Sequence, residues 1–270
     1  MQYFRPLLFV LIALAFVSPA HAQLKIDITR GYAEPLPIAL PDPVSSSGDA
    51  AALGREIMGV VAADLERSGL FRPINKAAFI EQITSANPSP RFADWRQINA
   101  AALVTSSIEP RGGDNYTIAF RLWDVYGEAN VTGKEYSTFR SNWRRFAHLI
   151  ADEIYSRLTG EGGYFDSRIV YTAESGPANN RVKRLAIMDQ DGANHKFLST
   201  GSDLVLTPRF SPDSQEILYM SYKGKQPRVY LRDLQSGREE MLGQFEGMSF
   251  SPRFANSGDR VAMSIARGGN

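Results

Sequence analysis

The chain has no cysteine among its 270 residues. That excludes disulfides, a lipid anchor carried on a thiol and most zinc sites, so the fold must rest on core packing. Histidine is scarce, with 3 in all. Long apolar runs are missing save one, Leu7 to Val17, "LLFVLIALAFV". It is about eleven residues long, against the roughly 20 needed to span a bilayer. Arg5 precedes it, and Ala20-His21-Ala22 follows, with small residues at Ala20 and Ala22, the positions a signal peptidase reads. Residues 1–22 are therefore expected to form a secretory signal peptide, cleaved before Gln23, which leaves a mature chain with no transmembrane segment. Charge of one sign is lacking too. Without Arg5, the 30 basic residues fall level with the 29 acidic ones. Binding to nucleic acid needs a basic excess or patch, and neither is visible. Export without cysteine points to the bacterial periplasm.

What is present suits a globular protein: 43% apolar and 22% charged residues, long enough for one large or two ordinary domains. From Gln23 to Arg30, Leu24, Ile26 and Ile28 alternate with Lys25, Asp27 and Thr29, the period of a half-buried strand. A proline-rich loop follows, then a short strand over residues 38–40. Residues 49–69 read as a helix with Ile57, Val60, Val61 and Leu65 at helical spacing, Ser47 or Asp49 as cap and Gly69 at its end. A strand at "LFRPI", a short helix over 91–98 and strands at "AALVTSSIEP", "YTIAFRLWDV" and "YSTFR" come next. The clearest helix runs from cap Asn142 to Gly160, with Trp143, Phe146, Ile150 and Ile154 on one face. Residues 23–160 are thus expected to be a mixed α/β domain, closed by a hinge at Gly160 to Gly163.

From Tyr164 to Asn270 helical spacing disappears, and short strands alternate with polar turns. "TPRFSPDSQEILYMSY" from Thr207 returns as "SPRFANSGDRVAMSIA" from Ser251. Pro208 and Pro252, Phe210 and Phe254, Ile217 and Val261, and Asp189 and Asp233 all stand 44 positions apart. A period near 44 with four short strands per unit is the mark of a β-propeller blade. About two and a half blades are written here, and a ring needs at least four. The expectation is a partial propeller over 164–270 whose remaining blades lie beyond this sequence.

Catalytic signatures are not found. No Gly-x-Ser-x-Gly occurs; Gly247-Met248-Ser249 comes nearest. His148 is expected to be a partly exposed structural residue on its helix, and His195 lies in a turn. The acidic turns "DQDG" and "SPDS" do not have EF-hand spacing, and turn chemistry explains them. Trp95, Trp123 and Trp143 are assigned to the core of the first domain. The reading is a binding scaffold with no catalytic residue, metal or cofactor.

"VVAADLERSGLF" (Val60 to Phe71), "NWRRFAHLIADEIYSRLTGEGGYFDSRIVY" (Asn142 to Tyr171) and the repeats at "TPRFSPDS" and "SPRF" resemble the TolB family of the Tol-Pal system. The resemblance covers essentially the whole mature chain. It implies an N-terminal α/β domain followed by a six-bladed propeller, and a non-enzymatic periplasmic protein. Such a protein would bind Pal, the peptidoglycan-associated outer-membrane lipoprotein, through the propeller and signal to TolA, and through it to TolQ and TolR. The family's role is outer-membrane integrity and invagination at division, and some colicins exploit it. Carried onto this chain, the TolA-responsive strand is Gln23, Leu24, Lys25, Ile26, Asp27, Ile28, Thr29 and Arg30, seated in a groove between the domains when not released. The Pal-facing rim is expected in the loops entering the innermost strands: Leu204, Val205, Leu206 and Thr207, and Met248, Ser249, Phe250 and Ser251. Where the blade motif has Ser-Pro-Asp-Gly, the later repeat has "ANSG" (Ala255 to Gly258), so the hairpin is expected to survive but not the identity of rim contacts. The competing reading is the front of a prolyl-oligopeptidase-like peptidase, whose hydrolase domain follows similar repeats. A sugar-binding or lactonase propeller would need clustered channel carboxylates, and the sequence offers none.

Overall fold

A computed structural model describes residues 24–26, 34–86, 89–224 and 226–268. The chain divides into two compact units, ending and beginning at Phe165 and Asp166. The signal-peptide reading, with Ala20 and Ala22, lies outside the described residues.

The first unit is built on a five-stranded sheet ordered β2-β1-β3-β4-β5. Its strands are β1 (Leu36–Ala39), β2 (Phe71–Pro73), β3 (Ala102–Gly112), β4 (Asn115–Asp124) and β5 (Ala129–Phe139). β1 runs parallel to both β2 and β3, while β3, β4 and β5 form an antiparallel meander. Among the described residues three α-helices accompany it: α1 (Gly48–Arg67), α2 (Phe92–Gln97) and α3 (Trp143–Thr159). The pleat explains the layering. Ala102, Val104, Ile118, Phe120 and Leu122 join a core with Ile57, Val61 and Leu65 of α1 and Ile150, Ile154 and Leu158 of α3. The alternate residues Leu103 and Trp123 turn to the opposite face, where Phe92 and Trp95 cover them. Trp95 and Trp123 are buried, and Trp143 packs half-buried against the first cluster. α3 ends as expected: Gly160 is left-handed at φ 84° and returns its N–H to Ser156. β5 extends well beyond "YSTFR", because β4 templates it along its whole length.

Two expectations change here. The segment after Gly160 does not leave the first unit at once. Phe165 is buried in its core, its N–H bonds Asp152 Oδ1 at 2.7 Å, and Tyr164 packs edge-on to Tyr155. The unit boundary therefore falls after Phe165. His148 is not partly exposed: it is 2% exposed, and its Nδ1 lies 2.6 Å from Oδ2 of fully buried Asp64. Asp64 also takes an ion pair from Arg67 at 2.9 Å. A polar link thus joins α1 to α3 inside the layer they share, which helical spacing alone does not reveal.

The second unit has three antiparallel sheets. The first contains β6 (Arg168–Ser175), β7 (Val182–Asp189) and β8 (Lys196–Phe197). The second contains β9 (Val205–Phe210), β10 (Glu216–Ser221), β11 (Arg228–Asp233) and β12 (Glu239–Met241). The third is a hairpin of β13 (Met248–Phe254) and β14 (Val261–Ala266). Leu185 and Val170 of the first sheet meet Val205, Ile217 and Tyr219 of the second in one core. The second sheet is a complete four-stranded blade. Among the described residues the first has no counterpart of β9 and the third has two strands.

Candidate functional site

The repeat produces a repeated geometry at the start of the second and third sheets. β9 and β13 both carry a bulge. Leu206 and Arg209 pair with Met220 and Leu218, so Thr207 and Pro208 together oppose Tyr219. Ser251 and Pro252 likewise oppose Met263. Proline cannot donate to a ladder, and a bulge is where a strand tolerates it. Thr207 and Ser251 absorb the irregularity with positive φ, 50° and 54°. Such backbone costs of order 1–3 kcal/mol at a residue with a Cβ, and most at a β-branched one such as threonine.

The residues expected to lie in loops are found in strands. Val205 to Thr207 and Met248 to Ser251 belong to the strands themselves, and Leu204 immediately precedes β9. The pleat then sorts them. Leu204, Thr207, Met248 and Ser251 are exposed, Leu206 and Phe250 half-buried, and Val205 and Ser249 buried. Ser249 acts within the fold, since its Oγ accepts the N–H of Val229 at 3.1 Å and so ties the third sheet to the second. Gly247, just before it, has φ 93°, and a Cβ there would run into the carbonyl of Ala266. The sequence does hold the signal for this arrangement, a proline inside an apolar alternation.

The hairpins that follow keep their backbone despite the change from "SPDS" to "ANSG". Ser211 N–H bonds Glu216 O at 2.9 Å, and Ala255 N–H bonds Arg260 O at 2.8 Å. Ser214 at φ 59° is matched by Gly258 at φ 79°. In the first hairpin the Ser211 hydroxyl also bonds Asp213 at 2.5 Å, which together with the Gln215 N–H holds that carboxyl below its ordinary range. The Asp213 carboxylate thus has a turn to organise.

At the outer edge of the second sheet, Glu239 collects the Tyr219 hydroxyl, Lys223 at 3.1 Å and Arg232 at 3.5 Å. Burial opposes its charge, but these donors outweigh it and hold its pKa below the usual value. Burial and the same carboxylate push the Tyr219 phenol upward. His195 is exposed, its ring edge-on to Phe197 at 4.7 Å.

The N-terminal segment is seen at Leu24, Lys25 and Ile26; Gln23, Asp27, Ile28, Thr29 and Arg30 lie outside the described residues. Leu24 is half-buried, Lys25 exposed and Ile26 buried in the first unit's core. These three residues are in no sheet. Ile26 instead donates its N–H to Leu158 O at 2.6 Å, meeting a carbonyl that the last turn of α3 leaves without a helical partner.

Two family models match: the TolB amino-terminal domain over residues 24–131 and the TolB β-propeller domain over 155–270. The Tol-Pal system protein TolB of Paramagnetospirillum magneticum is 55% identical over 242 residues, 90% of this chain and 54% of that protein. The chain thus spans about half the length of this curated relative. The crystal structure of TolB from Acinetobacter baumannii superposes with a TM-score of 0.73 at 28% identity, covering 92% of this chain and 59% of that one. A likeness to the acylaminoacyl peptidase of Pyrococcus horikoshii reaches a TM-score of only 0.27 over 35% of this chain and 14% of that one, and lends the peptidase reading nothing. The chain belongs to the TolB family, its first unit as the TolB amino-terminal domain and its second as part of the TolB β-propeller.

Proposed function

We propose that the protein is a non-catalytic periplasmic scaffold of a Tol-Pal system. It binds Pal through the propeller and answers TolA through its mature N-terminus, in the service of outer-membrane integrity and invagination at division. The observation that carries this reading is the pairing of the two domains with a relative named for the Tol-Pal system. No helix among the described residues is long and apolar enough to cross a membrane, which suits a signal-exported chain.

In this reading the N-terminal segment is a two-state element. Ile26 on the end of α3 is the docked anchor, and release would free Gln23 to Arg30 for TolA. A partner shifts such an equilibrium only by its differential affinity for the two states, so Pal and TolA act in opposite directions. Deleting Gln23 to Ile28 should abolish TolA binding and change Pal affinity, measured by calorimetric titration of each partner. Unchanged binding of both overturns the switch.

A further inference from the structure

We infer that β9 and β13 form a cationic surface that reads an acidic segment of the partner, with Arg209 and Arg253 as its specificity-determining residues. This rests on the reading that the second unit binds Pal and adds the chemistry of the contact.

The two arginines occupy one place in successive repeats, two residues after the strained Thr207 and Ser251, and all four residues are exposed. Their surroundings differ from those of five basic residues elsewhere in the unit. Arg181 and Lys183 pair with Glu174, Lys223 and Arg232 with Glu239, and Arg238 with Glu240. Among the described residues Arg209 makes no side-chain hydrogen bond or ion pair, and Arg253 bonds only the carbonyl of its neighbour Pro252, at 2.8 Å. Neither strand contains a carboxylate: they read VLTPRF and MSFSPRF. β9 and β13 are in contact, so two exposed guanidinium groups without a carboxylate partner are presented by neighbouring strands at the same place in successive repeats.

The strain gives an independent pointer. At a left-handed position glycine is the unstrained choice. Both repeats instead carry a residue with an exposed hydroxyl, Thr207 and Ser251. Backbone strain of this kind gathers at binding sites. A guanidinium fork matches a carboxylate bidentately, and a hydroxyl on the same strand can donate to a second one. An extended segment rich in Asp or Glu satisfies both.

The test is calorimetric titration of the protein with the soluble domain of Pal at low and high salt. Wild-type affinity should fall as salt rises. Arg209→Glu with Arg253→Glu should weaken binding at low salt by about tenfold or more and flatten the salt dependence. Arg209→Lys with Arg253→Lys, which keeps charge but loses the fork, should fall between. Melting curves verify folding, and Arg209→Gln with Arg253→Gln serves if the reversal variant does not fold, with the same direction expected. A folded double variant with wild-type affinity and salt dependence overturns this inference alone. Wild-type protein that does not bind Pal overturns the scaffold reading and this one with it.

Discussion

In the first unit one sheet is covered on both faces by helices and loops of its own unit, whereas in the second each sheet is covered by the next sheet. Leu103 and Leu122 lie in different layers of a unit that closes on itself. Leu185, Val205 and Ile217 are buried only because two sheets meet. Apolar residues stay open on all three sheets: Ile169 and Phe197 on the first, Met241 on the second, Met248 and Ile265 on the third. A stack of this kind holds together through nearest-neighbour interfaces. Stability of the first unit should therefore depend on its interior, and that of the second on the ties between sheets.

The largest test of this contrast is the Asp64–His148 link. Asp64→Ala removes two interactions at once, the buried His148 contact and the Arg67 ion pair, and the buried contact alone is worth about 1–3 kcal/mol. Differential scanning calorimetry should show the first unit's transition moving to lower temperature with the second unchanged. Equal movement of both would break the separation. A smaller effect of the opposite location is expected at Ser249→Ala. The buried N–H of Val229 loses its acceptor, at about 1–3 kcal/mol, and only the second unit's transition should fall.

The smallest effect concerns acid, where the units behave alike. Burial disfavours the charge of Glu153, but hydrogen bonds from Lys134 and Arg157 outweigh it, and its pKa lies below the ordinary value. Glu239 is lowered in the same way by Tyr219 and Lys223. A depressed carboxylate contributes stability that is fully present above its unfolded pKa of about 4.3 and is lost as pH falls through the folded value. Each contribution is on the scale of about 0.2–1 kcal/mol. Glu239→Gln should flatten the acid limb of the second unit's melting curve and leave that of the first, with its Glu153, as it was.

Legibility in the sequence also divides along this line. In the first unit the helices are readable because Ile57, Val61 and Leu65, or Ile150 and Ile154, repeat at helical spacing, and their ends carry Gly69 and Gly160. β5 is only partly readable, since Gly133, Lys134 and Glu135 interrupt its alternation and pairing with β4 decides its length. The burial of His148 is not readable, because its partner stands 84 positions away. In the second unit the 44-residue period discloses the blades. It does not show that Leu206 to Pro208 and Phe250 to Pro252 are strand, because Pro208 and Pro252 look like marks of a loop while each sits in a bulge. Arg209 and Arg253 stand in plain view in the repeat, and only the structure shows that they are exposed on strands that touch.

Binding of Pal by the second unit is the central claim. Co-purification of the folded protein with the soluble domain of Pal tests it most directly. Retention of Pal in a stoichiometric complex, lost when Arg209 and Arg253 are reversed, is the predicted result. Failure to retain folded Pal would contradict it.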